Sequence, residues 1–269
     1  MNKICINFSL CVVCVFFFSC KGKNQTNQKA TTQVVNGDSV KMIYDDNGKL
    51  LSKGIIHNGE YNGFVISYYD DGVPKNEGVI LNNKRIGLWK EFDKNGTLEA
   101  AEHYDADSVL FKFDKSDFDF QQITSQYGFK ISAPKTWVQK DKPEPPLLME
   151  IYQSTDSFIH HPNLQIIADS INSNDLQGFC KNYITNFWKN NGAAIQLVYS
   201  RNVVINSKPS CQIGYKIIFK NQNLAGVATF IKNGNMMFVL SGMALNDGKI
   251  GFLRYKDLFE QIAATFIVI

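Results

Sequence analysis

The sequence predicts an α+β protein: an N-terminal sheet of β-hairpin repeats followed by a C-terminal α/β/α sandwich. Two observations carry this expectation. Gly48, Gly72 and Gly96 recur every 24 residues, as do Tyr44, Tyr68 and Phe92, which marks a repeated structural unit. Beyond residue 120, blocks of strand-like alternation are accompanied by two amphipathic helical stretches, a segregation that belongs to α+β chains.

The chain opens with Lys3 as the only charge in residues 1–19, and Leu10 to Phe18 is uncharged and almost wholly apolar. A positive start, a short apolar core and a small residue before a cut site make a secretory signal peptide. The core is too short for a bilayer span, which takes roughly 20 apolar residues. Its end, Phe17-Phe18-Ser19-Cys20, resembles a bacterial lipoprotein signal. That resemblance implies cleavage after Ser19 and acylation of Cys20, palmitate being one such chain. Cys5, Cys11 and Cys14 leave with residues 1–19, so Cys180 and Cys211 are the remaining pair and are expected as buried thiols. Residues 20–39 are rich in Lys, Gln, Asn and Thr without an aromatic. They read as a flexible, lipid-anchored tether with an end-to-end distance on the order of 25 Å. The first acidic residue after Cys20 is Asp38. The acidic export signal of some bacterial surface lipoproteins is therefore missing, and the expected location is the outer membrane, facing the periplasm.

Residues 40–107 hold the repeats. Each unit reads as strand, turn, strand, turn, with Asn47-Gly48, Asn58-Gly59, Asn82-Asn83 and Asn95-Gly96 at the turns; Asn and Gly tolerate the positive φ that tight hairpins demand. Alternation places Val40, Met42 and Tyr44, then Phe64, Ile66 and Tyr68, then Leu88, Lys90 and Phe92 on one side. That side is apolar enough to be buried against the C-terminal domain or a partner. The other side carries Lys41, Val65 and Trp89, followed by Ile43, Ser67 and Glu91. A large aromatic among polar residues is the composition of a contact surface, so Trp89, Val65 and Lys41 are the candidate binding patch. The third unit decays: Glu102 stands where Gly54 and Gly78 stood, and His103 replaces Ile55 and Val79. His103 is expected at the end of the stack, turned to water. The segments Gly63-Phe64-Val65-Ile66-Ser67-Tyr68 and Gly87-Leu88-Trp89-Lys90-Glu91-Phe92 resemble MORN-variant repeats of antitoxin-like bacterial proteins. The resemblance implies a scaffold or binding surface.

Residues 108–119 are acidic and read as a connector. The last domain, residues 120–269, opens on the alternating strand Tyr127 to Ser132 and turns at Pro134. A proline-rich loop over 140–146 and a polar loop with His160 and His161 separate further strands. Leu176, Phe179, Cys180, Tyr183, Ile184, Phe187 and Trp188 then form one helical face, capped by Ser173 or Asn174 and ended by Gly192. Four strands follow, and a second helix bears Phe252, Tyr255, Leu258, Phe259 and Ile262. The set Tyr127, Gly128, Phe129, Pro134 and Trp137 resembles the opening of the PsbP/Mog1-like fold, whose members share binding without catalysis.

Function is less legible. After loss of Lys3 the chain keeps 27 basic and 25 acidic residues, which is no nucleic-acid footprint. Its four histidines form no H-E-x-x-H, and no G-x-S-x-G, P-loop or dinucleotide fingerprint occurs. The expectation is a non-enzymatic envelope protein without cofactor or metal, tied to the membrane by lipid and binding a protein or envelope component. The alternative is an antitoxin- or immunity-like partner acting through the repeats.

Overall fold

The computed structural model describes residues 28–35, 38–140, 146–153, 162–173, 175–246 and 249–269. Cys20, Asn174, His160 and His161 lie outside the described residues.

Eight strands build the first sheet in strict chain order, each antiparallel to the next. They are β1 (Lys29–Val35), β2 (Asp38–Tyr44), β3 (Leu50–His57), β4 (Glu60–Tyr68), β5 (Pro74–Leu81), β6 (Lys84–Phe92), β7 (Leu98–Asp105) and β8 (Ser108–Lys112). The repeat is visible in the pairing itself, because Val40 faces Ile55, Phe64 faces Val79 and Leu88 faces His103. Two kinds of turn alternate. At the first, Gly48, Gly72 and Gly96 take φ of +80°, +86° and +79°, where a Cβ would be strained. Asp45 and Asp93 close these turns by accepting from backbone N–H groups two and four residues on, at 2.8–2.9 Å. Those N–H groups hold the Asp93 carboxyl below the usual range. At the second turn, Asn58-Gly59, Asn82-Asn83 and Ala106-Asp107 all have positive φ at both positions, as a two-residue hairpin loop of this hand requires.

The sheet is wider than the repeats alone imply. Residues 29–35, expected within the flexible tether, form β1 and pair along their full length with β2. Thr31, Thr32, Val34 and Val35 are β-branched, and an edge strand needs one paired side and little apolar content. The expected connector is likewise part structured. Ser108–Lys112 is β8, and Lys115–Phe118 is a 3-10 turn whose cap, Asp114, accepts from the Ser116 N–H at 2.9 Å.

The rest of the chain supplies β9 (Phe120–Ser125), β10 (Phe129–Pro134), β11 (Trp137–Gln139), β12 (Leu147–Gln153), β13 (Asn163–Ser170), α1 (Leu176–Asn190), β14 (Ala194–Ile205), β15 (Lys208–Phe219), β16 (Gln222–Asn233), β17 (Met236–Leu245), α2 (Lys249–Ala264) and β18 (Ile267–Val268). A small sheet has the order β18-β10-β9, and a seven-stranded one the order β11-β12-β13-β17-β16-β15-β14.

The expectation of an α+β fold with a C-terminal α/β/α sandwich is overturned. Among the described residues 63% are strand and 14% helix, so the class is β-rich and antiparallel. The two helical faces read from the sequence are real, but strands of ten to twelve residues at β14–β17 and three separate sheets outweigh them. The seven-stranded sheet has apolar residues on both faces. Along β16, Ala225, Val227 and Ile231 enter one core with α2 and the small sheet. Leu224, Ala228 and Phe230 enter another with α1, as period-two alternation dictates.

Helix α1 buries Cys180, Ile184 and Trp188, one stripe at four-residue spacing. Its cap is Asp175, whose carboxylate accepts from the Gly178 N–H at 2.9 Å, rather than Ser173 or Asn174. Ser173 instead accepts from the Asp175 N–H. Cys180 and Cys211 are free and buried.

Candidate functional site

The two faces of the repeat sheet do different work. On the face expected to bind, Trp89 lies across Gly78, where an added Cβ would come within 2.3 Å of the indole ring. The Trp89 N–H donates to the Val79 carbonyl at 3.2 Å. Tyr104 meets the ring edge-on at 6.3 Å, and the Arg85 guanidinium lies 5.8 Å from Trp89 and 4.1 Å from Tyr104. Arg85 donates to the Tyr104 hydroxyl, which donates to Glu102 at 2.6 Å. Burial and that acceptor push the Tyr104 phenol up to about 12. Val65 folds over Gly54 in the same way, with 9% of its surface exposed, which takes it out of any contact surface. Lys41 is half-buried, its ammonium 5.7 Å from the Tyr61 ring. The sheet brings Lys41, Val65 and Trp89 onto one face, as expected, but engages them in its own packing. Trp89→Ala should therefore cost about 2 kcal/mol, below the 3–5 of a fully buried Trp because the ring is half-exposed. Thermal denaturation reads this directly; an unchanged midpoint would mean that the indole contributes little to the sheet.

The opposite face meets α2. His103, in the slot held by Ile55 and Val79 in earlier units, places Nδ1 2.5 Å from Asp257 Oδ2. His103 is 7% and Asp257 4% exposed, and the imidazole stacks on Phe111 at 5.1 Å. Lys90 donates to Gln261 of α2 and lies 3.6 Å from Glu77. Burial pushes the Lys90 ammonium below the usual lysine range, against the opposing pull of Glu77. Arg254 of α2 reaches Asp117 in the 3-10 turn at 2.7 Å. Three contacts thus join the helix to the repeat sheet and its exit.

Beside these contacts opens a cleft of about 390 Å³. Phe64, Val79, Ile86 and Leu88 form the apolar part of its floor with Glu77 and Lys90 of the same sheet beside them, and Lys256, Asp257, Glu260 and Gln261 of α2 with Arg201 of β14 form its wall. The apolar part of the floor is open: Phe64 is 45% exposed. The wall is charged and internally paired, with Arg201 2.9 Å and Lys256 3.2 Å from Glu260. The Tyr199 hydroxyl donates to the same carboxylate at 2.7 Å, and burial followed by the Glu260 charge raises its phenol. Among the described residues, no three His, Cys, Asp or Glu side chains are grouped to hold a metal. The arrangement is suited to receiving an apolar side chain within a polar rim.

Residues 85–106 match a family model described as MORN repeat variant. This segment contains Trp89 and His103, so the matched stretch supplies both the indole laid over Gly78 and the link to α2. No curated protein matches the chain. Among solved structures, the chain is similar to cyanobacterial PsbP (CyanoP) from Synechocystis at 14% identity, over 56% of this chain and 92% of that one, with a TM-score of 0.45. It is also similar to the Saccharomyces cerevisiae Ran-binding protein Mog1p at 9% identity, over 55% and 95%, with a TM-score of 0.46. A Bacteroides thetaiotaomicron structure is similar at 14% identity, over 55% and 47%, with a TM-score of 0.37.

His103 is the residue of the matched segment that sequence reasoning misplaced. It was expected at the water-facing end of the stack, yet β8 continues the sheet past it and α2 covers it. A signal was present: a histidine in a slot otherwise held by Ile and Val points inward, and an inward polar group needs a partner. The partner's identity was out of reach, because Asp257 lies 154 residues away. The cleft wall was missed for the same reason.

Proposed function

We propose that this is a non-catalytic binding protein of the cell envelope, held by lipid on Cys20 at the outer membrane and facing the periplasm. Its cleft between the repeat sheet and α2 receives an apolar side chain of a protein partner. The observation that carries the reading is Phe64, a 45% exposed aromatic on an apolar floor beneath a rim of paired charges. Central aromatics within polar rims dominate protein–protein binding energy. The N-terminal run ending in Ser19-Cys20 supports the anchor, and the mutual pairing of the wall's charged groups supports binding over catalysis.

Two variants test it. A photo-crosslinking amino acid at Phe64 should give one discrete adduct in intact cells, and the same group at Val34, 74% exposed on the far edge strand, should give none. Equal labelling from both positions would remove the cleft as the binding site. Cys20→Ala should shift the protein from the membrane to the soluble fraction, and unchanged membrane retention would remove the anchor.

A further inference from the structure

Two thiols lie in the core between α1 and the seven-stranded sheet. Cys180 of α1 and Cys211 of β15 belong to one apolar cluster, and both are 0% exposed. Helix α1 packs on β14 and β15, and one turn before Cys180 the Gln177 amide pins it there. The amide nitrogen donates to the Ser200 carbonyl of β14 at 3.2 Å and to the Ser200 hydroxyl oxygen at 3.0 Å. Ser200 Oγ in turn lies 3.8 Å from Cys211 Sγ. Because that oxygen already accepts from Gln177, the hydroxyl hydrogen is left to donate to the sulfur.

The two thiols also hydrogen-bond to each other, with Cys180 as donor and Cys211 as acceptor. That bond lowers the Cys211 thiol against the opposing effect of burial, and Ser200 and Lys181 act in the same direction. It raises the Cys180 thiol, with burial, the Cys211 charge and Asp175 adding to the effect. With the roles reversed, the Cys211 S–H would have the Gln212 carbonyl at 4.0 Å to donate to, a long contact. A thiol buried among apolar groups alone is inert, whereas one held by donors gains thiolate character. The pair is therefore unsymmetrical, with Cys211 the nucleophile and Cys180 the proton holder. Ser200 is only half-buried, on the edge strand β14, so opening of that edge admits a small molecule to Cys211.

We propose that Cys180 and Cys211 form a dithiol–disulfide site oxidised by small hydroperoxides, with Ser200 as the positioning residue that keeps Cys211 as the attacking sulfur. The Cys211 thiolate attacks one oxygen of hydrogen peroxide. An S–O bond forms, the O–O bond breaks, and the hydroxide released takes up the proton Cys211 had lost and becomes water. The Cys180 sulfur then attacks the Cys211 sulfenic acid. The S–S bond forms, the S–O bond breaks, and the departing hydroxide leaves with the Cys180 proton as a second water. Two electrons pass from the pair to the peroxide. The product ties α1 to β15 across a loop of about 30 residues, which restricts the unfolded chain. The site is separate from the cleft at Phe64 and does not depend on the function proposed for that cleft.

The test treats the reduced full chain with hydrogen peroxide, alkylates the remaining thiols and reads the products by peptide mass spectrometry. Cys180 and Cys211 should appear in one linked peptide that dithiothreitol separates. The rate of linkage should rise with pH through a midpoint below the ~8.5 of a free thiol. In Ser200→Ala that midpoint should move up, and the rate at neutral pH should fall about tenfold, the worth of one hydrogen bond to a charged group. Cys180→Ser should stop at a sulfenic acid on Cys211 that dimedone traps, which keeps the test available if the Ser200 variant fails to fold. The linked protein should have a folded-to-unfolded ratio about a hundredfold or more above the reduced one. Both thiols fully alkylated after peroxide, a midpoint at or above that of a free thiol, an unchanged rate in Ser200→Ala, no dimedone adduct on Cys211, or a linked protein no more stable than the reduced one would each overturn the proposal.

Discussion

Phe259→Ala should lower the unfolding free energy by about 3–5 kcal/mol, the range for removing a fully buried aromatic side chain. Phe259 is buried in the core that joins α2 to the seven-stranded sheet. Its ring lies over Gly242 of β17, where an added Cβ would come within 2.3 Å. Trp137 meets it edge-on at 6.0 Å, and Tyr255 lies 6.2 Å away. The same helix carries Asp257, Glu260 and Gln261 into the cleft wall, so the variant should also weaken whatever the cleft binds. Gly242→Ala approaches the same contact from below and should cost about 1–3 kcal/mol by overpacking. Urea denaturation followed by tryptophan fluorescence reads both variants. A Phe259→Ala protein within 1 kcal/mol of wild type would mean that α2 is held elsewhere.

His103→Leu should cost a comparable amount, about 3–5 kcal/mol, because it leaves the 4% exposed Asp257 carboxylate without its closest partner. Lys256 remains 3.4 Å away and offsets a part of the loss. The informative variant is the double one. With both His103 and Asp257 replaced by Leu, no charge is left stranded, and two apolar side chains occupy a site already bordered by Phe111. Most of the stability should return, as it does when buried ion pairs elsewhere give way to apolar groups. A double-mutant cycle measures the coupling. Simple additivity of the two single losses would show that the pair does not act as a unit.

These contacts mark where sequence reasoning stops. Local rules were readable: the 24-residue register survives in the pairing of Val40 with Ile55, Phe64 with Val79 and Leu88 with His103, and α1 buries the stripe its spacing implies. Three features were not. Strand β1 was hidden because Lys29 to Gln33 is polar, and an edge strand is held by backbone bonds that leave no apolar alternation. The fold class was misjudged because helical periodicity is conspicuous, whereas the number and length of strands depend on pairings between distant segments. The site was hidden because its two walls, at Phe64 to Leu88 and at Arg201 to Gln261, are separated by more than a hundred positions. Trp89 carries a further signal that size and polar neighbours do not show: Gly78 beneath it is the mark of a side chain laid over its own sheet.

The strict chain order of the eight-stranded sheet has a kinetic consequence. Every ladder in it joins consecutive strands, so each closes a short loop, and low contact order goes with fast folding. The seven-stranded sheet differs at one ladder, where β13 pairs with β17 across α1 and three intervening strands. That closure is slower by the same entropy. The N-terminal hairpins also leave the ribosome first. The repeat sheet would therefore zip early and wait, with His103 and Lys90 lacking their partners on α2, until β17 docks and delivers that helix. Stopped-flow refolding should resolve the wait as a separate phase, and its rate should report the β13–β17 ladder.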